Sequence, residues 1–310
     1  MSAVSARPKV NKKKRSKWGT ILLFLLPALA FYLLFVLFPV IEAAYFSLFK
    51  WNGLDPLTNF NFPTNYVTAF NNEAFRTALA NNTLIIVLSL AIQIPFSLSL
   101  ALLLNRRFPG RAAFRLIFFL PYVLSEAITG VVFTLMLQPH GLVDGSMQAV
   151  GLGGLVQHWL ADTGFVMITM FVIISWKYFG FHMIILLAGL QGIPREIEEA
   201  ALIDGAGRWQ AFRYVTLPLL GPTLRVSIFL SMIGSLQLFD MVWVMTGGGP
   251  VNASNTMAIS MFKAGIKNQQ MGYGSALAVI IFVFALILAL AYQRLVLRRD
   301  IDGAMTAFNG

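Results

Sequence analysis

The chain has 310 residues, of which 57% are hydrophobic and 12% charged, and its mean hydropathy is +0.73. These values exclude an ordinary soluble globular domain and indicate a membrane protein. The net charge of +10 fits either nucleic-acid binding or basic loops on one side of a bilayer, so the positions of the charges must decide. The absence of cysteine excludes disulfides, thiolate metal sites and a cysteine nucleophile.

Six apolar runs are long enough to cross a membrane, since a spanning helix needs about 20 mostly apolar residues. The runs are Gly19–Val40, Thr83–Leu104, Leu116–Leu137, Phe165–Leu190, Leu219–Met245 and Ser275–Leu297. The first run follows a basic leader, as in a signal peptide, but it continues unbroken and predicts an uncleaved anchor. We therefore expect an all-α integral membrane protein, because only helices or closed barrels satisfy their backbone groups within lipid.

Basic residues cluster in alternate connections between these runs. Of the 23 lysines and arginines, 18 fall in the N-terminal leader, the second connection, the fourth connection with its edge, or the C-terminal tail. The positive-inside rule then predicts that both termini are cytoplasmic. A basic leader that fixes topology and contacts anionic lipid explains the net charge better than nucleic-acid binding does.

This topology divides the chain into five predicted parts. They are a basic cytoplasmic leader (1–18), a first transmembrane anchor (19–41), an extracytoplasmic loop (42–76), a core of five helices (77–297) with a cytoplasmic loop at 191–218, and a cytoplasmic tail (298–310).

The fourth connection contains a charged stretch, "IEEAALIDGAGRWQAFRYVTLPL", that contrasts with the apolar runs around it. Pro194 and the glutamates after it predict the start of a short helix. Gly205 permits a left-handed turn, and a second short helix begins near Arg208. Two interpretations stay open from the residues alone. The pair of helices either lies on the headgroups with Trp209 as an anchor or docks in the groove of a cytoplasmic partner.

The same stretch resembles the EAA loop of permease subunits in binding-protein-dependent ABC importers. The matching residues are Glu199-Ala200-Ala201, Asp204-Gly205-Ala206, Val215 and Leu217-Pro218. Two further segments, "FDMVWVMTGGGPVNASNT" and "MGYGSALAVIIF", are similar to carbohydrate-uptake permeases of the maltose and glycerol-phosphate type.

The resemblance implies the type I ABC importer permease fold in a prokaryotic inner membrane, with a sugar or related polyol as the imported solute. It implies three protein partners: a second homologous permease, a cytoplasmic ABC ATPase dimer and an extracytoplasmic solute-binding protein. The residues implied in ATPase coupling are Glu199, Ala200, Ala201, Asp204, Gly205, Ala206, Trp209, Leu217 and Pro218.

The chain lacks the pattern G-x-x-x-x-G-K-[ST] that holds nucleotide phosphates. We therefore expect a permease without catalytic residues or a cofactor of its own, and ATP and magnesium on the partner ATPase. Two alternatives remain: an ABC permease for another small polar solute, and an ion-coupled secondary carrier that works alone.

Polar groups within the spans are candidates for a substrate pathway, since ionisable side chains in lipid are costly. The candidates are Glu126, Lys177, Gln237, Asp240, Trp243 and Asn255. A packing ion pair between Lys177 and Glu126 is an equal alternative to substrate contact. The three histidines show no metal-ligand spacing, so no metal site is expected.

Overall fold

The computed structural model of the chain describes residues 17–106 and 108–297. Almost all of the predicted leader and the whole predicted tail therefore lie outside the described residues. Within them the chain is helical, and a single isolated antiparallel bridge joins Phe49 to Phe60.

Five helices and one bent pair of helices are long and apolar enough to cross a membrane. In chain order we name them the first to sixth spans: Leu23–Phe46, Glu73–Asn105, the pair Arg111–Val123 and Glu126–Leu137, Val166–Gln191, Gly221–Met245, and Met271–Val296. The main shorter helices are Thr64–Asn71, Leu142–Ala149, Arg195–Ile203, Arg208–Ala211 and Met257–Phe262. Single π-helical turns occur at Leu33–Leu37, Ser89–Gln93, Phe212–Thr216, Lys263–Lys267 and Gln293–Leu297. The all-α prediction is confirmed.

The third span is not the continuous helix predicted at Leu116–Leu137. Its two halves meet at 94°, because Leu124 and Ser125 adopt extended backbone angles with ψ of 143° and 152°. The Ser125 hydroxyl then accepts a hydrogen bond from the amide of Ile128 at 3.2 Å and starts the second half. Both halves are apolar, so hydropathy alone gives no sign of the break.

The fourth span is the centre of the bundle, and the first span is its periphery. In the fourth span 61% of the apolar window is buried, whereas no residue of the first span's window is. At one end the fourth span packs with Ile85 and Val242, and at the other with Leu104 and Leu220. The exposed apolar surface of the first span is therefore suited to contact with lipid.

The third and fourth spans approach each other closely at Gly180. A Cβ atom at this glycine would stand 1.9 Å from the carbonyl oxygen of Phe118, which is too near for any side chain. Small residues permit this kind of backbone approach between membrane helices. The first half of the third span is thus held directly against the central helix.

We predict that Gly180→Ala lowers the amount of folded protein, because the added methyl group must displace backbone atoms at a cost of about 1–3 kcal/mol or more. The matched control is Gly234→Ala in the fifth span, where a Cβ atom meets nothing within 4 Å. Thermal denaturation of the detergent-purified variants, monitored by size-exclusion chromatography, measures the effect. Equal melting temperatures for the two variants would contradict this account of the packing.

Candidate functional site

The charged stretch between the fourth and fifth spans forms two short helical arms, which we call the elbow. Its first arm is Arg195–Ile203, and its second arm begins at Arg208–Ala211 and continues through Phe212–Thr216. Pro194 is the residue just before the first helical residue, Arg195. Both arms predicted from the sequence are present.

The turn between the arms is closed by backbone hydrogen bonds. Gly205 has a φ of +87°, and its amide donates to the carbonyl of Leu202 at 3.1 Å. The amide of Ala206 donates to the carbonyl of Ala201 at 3.0 Å, which completes a Schellman motif. The Gln210 side chain accepts from the amide of Gly207 at 2.7 Å and starts the second arm. The left-handed turn predicted at Gly205 is confirmed.

The elbow presents large apolar side chains that the rest of the described chain leaves uncovered. Ile203 is 85% exposed, Trp209 71% and Tyr214 75%. In contrast, Ala211 and Leu220 are buried against the bundle and attach the second arm to it. The elbow is therefore an exposed surface fixed at one end to the spans.

The motif residues implied in coupling are mainly at this surface. Glu199, Ala200, Asp204, Gly205, Trp209 and Pro218 are exposed, and Ala201, Ala206 and Leu217 are half-buried. The nine residues lie within one continuous segment, but their role in coupling stays a prediction.

Lys177 lies in the fourth span beside the break in the third span and is 2% exposed. Its ammonium donates to the carbonyl of Leu124 and, at 3.5 Å, to that of Pro121. These carbonyls belong to the end of the first half-helix, where backbone acceptors lose their helical partners and the helix dipole is negative. Lys177 therefore caps the broken helix from a neighbouring span.

Glu126 begins the second half of the third span and accepts a hydrogen bond from the Tyr178 hydroxyl. It interacts with Lys177 electrostatically, but in the described residues the hydrogen bonds of Lys177 go to carbonyl oxygens. Of the two alternatives for this pair, the structure thus favours a packing role, with backbone carbonyls in place of the expected carboxylate.

Asp240 lies near this pair, because the helix it begins packs against the half-span that Glu126 begins and Asp240 interacts electrostatically with Tyr178. Gln237 and Asp240 are exposed where the fifth span is interrupted before its last helical turns. The Trp243 ring stacks on Phe239 at 5.8 Å, and the ammonium of Lys267 lies 4.6 Å above it. These contacts reduce the ring surface left for a sugar.

Asn255 is 1% exposed in the loop after the fifth span. Its side-chain amide donates to the carbonyl of Ala74 at 3.2 Å and to the hydroxyl of Ser260 at 2.8 Å. The structure therefore brings Glu126, Lys177 and Asp240 together near Tyr178 and places Asn255 in a different environment. The role of the six candidates as a pathway stays a prediction.

A cavity of about 90 Å³ lies among the second, third, fourth and fifth spans. Its polar lining residues are Ser89, Gln93, Tyr122, Tyr178, His182, Ser231 and Ser235. None of the six pathway candidates lines it. The candidates named from the sequence therefore do not include the residues that line this cavity.

One signal in the sequence points to these residues. Ser227, Ser231 and Ser235 recur every four residues and lie buried on one face of the fifth span. A ring nitrogen of His182 is 2.8 Å from the Ser227 hydroxyl, and the Asn82 side chain donates to the carbonyl of Ser235 at 2.6 Å. Small polar residues join membrane helices in this way, so the serines attach the fifth span to the fourth and second.

The described chain is thus a helical membrane bundle with an exposed elbow between two of its spans. The chain belongs to the family described as binding-protein-dependent transport system inner membrane component, which matches residues 93–301. It is a membrane permease of an ABC transporter and not a catalytic subunit, which removes the lone ion-coupled carrier from the alternatives.

Its relatives extend the match beyond the core. A probable ABC transporter permease protein of Bacillus subtilis, YurN, is 35% identical over 88% of this chain and 94% of the relative. The lactose transport system permease protein LacF of Rhizobium radiobacter is 33% identical over 86% and 89%. A bacterial ABC transporter involved in the import of the acidic polysaccharide alginate is similar in structure, with a TM-score of 0.79 and 25% identity over 91% of this chain and 96% of that one.

We predict that Lys177→Met destabilises the protein by about 1–3 kcal/mol, because it leaves buried carbonyls without a donor. Lys50→Met, at an exposed loop lysine, is the control and should leave the melting temperature unchanged. Because the main partners of Lys177 are carbonyls, adding Glu126→Gln to Lys177→Met should bring no recovery. Recovery of the melting temperature in that double variant would instead indicate a direct ion pair.

Proposed function

We propose that this chain is one of two permease subunits of an ABC importer for a sugar or related polyol. The observation that carries the proposal is the exposed elbow, which lies between two spans of a chain with lactose and polysaccharide permeases among its relatives. A second permease, an ATPase dimer and an extracytoplasmic solute-binding protein complete the importer.

The first step of the mechanism is docking of the elbow on a cytoplasmic ATPase. Uncovered apolar groups such as Ile203 and Trp209, surrounded by charged residues, suit the groove of a protein partner. ATP and magnesium bind to that partner, and its closure on ATP moves the elbow. The hydrogen-bonded turn at Gly205 keeps the angle between the arms, so that both move together.

The second step is transmission of that movement to the spans. The second arm is attached through the buried residues Ala211, Thr216 and Leu220, which lead directly into the fifth span. The serine face of that span lines the cavity near His182. A tilt of the fifth span therefore changes the width of the cavity, which is the element of alternating access that this subunit supplies.

The proposal is tested by reconstituting the chain with its partner subunits in liposomes. We expect ATP-dependent uptake of a labelled sugar from a panel of lactose, maltose and trehalose, and none when the chain is reconstituted alone. Uptake of spermidine or of an amino acid, with no uptake from a broad sugar panel, would support another small polar solute instead.

In the same assay, Gly205→Leu should abolish uptake while the permease still assembles. Both Gly205 and its control, Gly110, have positive φ and no atom within 4 Å of a Cβ position, so a side chain costs each about 1 kcal/mol of backbone strain. Gly110→Leu should therefore transport normally, since only Gly205 faces the partner. Equal transport by the two variants would refute the coupling role of the elbow.

The orientation is tested separately with fused reporters. Because 18 of the 23 basic residues fall in the leader, the tail, the connections assigned to the cytoplasm or the span ends next to them, a reporter active only there should work after Arg111 or Gly207. The same reporter should be inactive after Asn61 or Gly153. The reverse pattern would place the elbow on the wrong side of the membrane for an ATPase.

A further inference from the structure

A second pocket, of about 240 Å³, lies where the start of the second span, the segment around Lys263–Lys267 and the start of the sixth span meet. At about 30 Å³ for each water, it has room for about eight water molecules. It shares no lining residue with the cavity among the spans. In the proposed orientation this pocket is on the extracytoplasmic side.

Two buried polar atoms at this pocket have no hydrogen-bond partner in the described part of the chain. They are Oδ1 of Asn255 and the hydroxyl of Tyr273, and both residues line the pocket. The amide nitrogen of Asn255 is already engaged by Ala74 and Ser260, which fixes the direction of Oδ1. Two residues that line the pocket therefore carry a buried acceptor and a buried hydroxyl that no group of the described chain satisfies.

Lys263 supplies a donor beside that acceptor. Both groups lie close to Gly248. A Cβ atom built on Gly248 would be 2.9 Å from Oδ1 of Asn255 and 3.2 Å from the ammonium of Lys263. Burial, and secondarily the charge of Lys267, lower the pKa of Lys263. None of the twelve lining residues is an aspartate or a glutamate, so the pocket itself offers this ammonium no carboxylate.

The chemistry of these groups selects one kind of ligand. Oδ1 of Asn255 requires a donor, the ammonium of Lys263 requires an acceptor, and the Tyr273 hydroxyl takes either role. A carboxylate satisfies the lysine but cannot donate to Oδ1, whereas adjacent hydroxyl groups satisfy all three. Phe75 and Leu277, each 1% exposed, form the apolar part of the lining.

We infer that this pocket is an outward-facing binding site for a polyhydroxylated ring of about monosaccharide size. The inference rests on the proposed function for its orientation and for the class of solute. In that context the site receives a sugar unit outside the bilayer, before the solute reaches the cavity among the spans.

The experiment is a saturation-transfer NMR titration of the full chain in lipid nanodiscs, with glucose and lactose as probes and acetate as the carboxylate probe. Tyr273→Phe removes a hydroxyl that has no partner in the described chain, so the fold should not depend on it. Tyr45→Phe is the matched control, since Tyr45 is 51% exposed and does not line the pocket. Asn268→Trp, at an exposed lining residue, should obstruct the mouth of the pocket.

We expect Tyr273→Phe to weaken sugar binding about fivefold, as for one hydrogen bond, and Asn268→Trp to abolish it, with Tyr45→Phe unchanged. Sugar signals that are absent or equal in all variants would overturn the inference, and so would preferential binding of acetate. Because binding is measured without ATP or partners, that failure leaves the proposed function intact if the importer still takes up sugar. Absence of sugar uptake by the unmodified importer refutes the proposed function instead.

Discussion

The structure depends on one constraint: within a bilayer, every backbone carbonyl and amide must find its partner inside the protein. Unbroken helices meet this constraint by themselves, and the third span does not, because its chain leaves the helix at Leu124 and Ser125. After the break, the Ser125 hydroxyl accepts a hydrogen bond from the amide of Ile128. Before the break, the ammonium of Lys177 donates to the carbonyl of Leu124. A lysine in the most buried span therefore donates to the carbonyls that the bend leaves without helical partners.

The bend in turn shapes the space that the protein encloses. The third span reaches the fourth through direct backbone contact at Gly180, and Tyr122 at the end of its first half lines the cavity together with Tyr178. The opposite wall of the cavity is the serine face of the fifth span. That span continues directly from the elbow, so it connects the exposed surface of the elbow to the cavity.

The loop after the fifth span is fixed to the second span by amide side chains. Asn81 donates to the carbonyls of Ala253 and Asn255 at 2.9 Å, and Asn82 bridges the fifth span and the amide of Met257. These buried bonds hold the glycine-rich loop after the fifth span in a defined position. The pocket beside Asn255 is consequently a formed site, whereas the elbow is exposed along most of its length.

The sequence by itself determined the elements whose signals are local. Runs of about 20 apolar residues must become spans in lipid, and Gly205 with its flanking residues specifies a left-handed turn through backbone sterics alone. These features need no knowledge of the neighbouring helices, which is why the spans and the two arms of the elbow were predictable. The EAA-like spacing added the coupling hypothesis to that local structure.

Only the tertiary structure decided which polar groups meet. Lys177 caps carbonyls 53 and 56 residues away, and Asn81 reaches carbonyls 172 and 174 residues away, contacts that no local spacing records. The break at Leu124 was hidden for a related reason, since apolar residues continue on both sides of it and the compensating donor is on another span. Charge and hydropathy specify which residues lie in the membrane. The hydrogen-bond partners of the polar groups among those residues are set by how the helices pack.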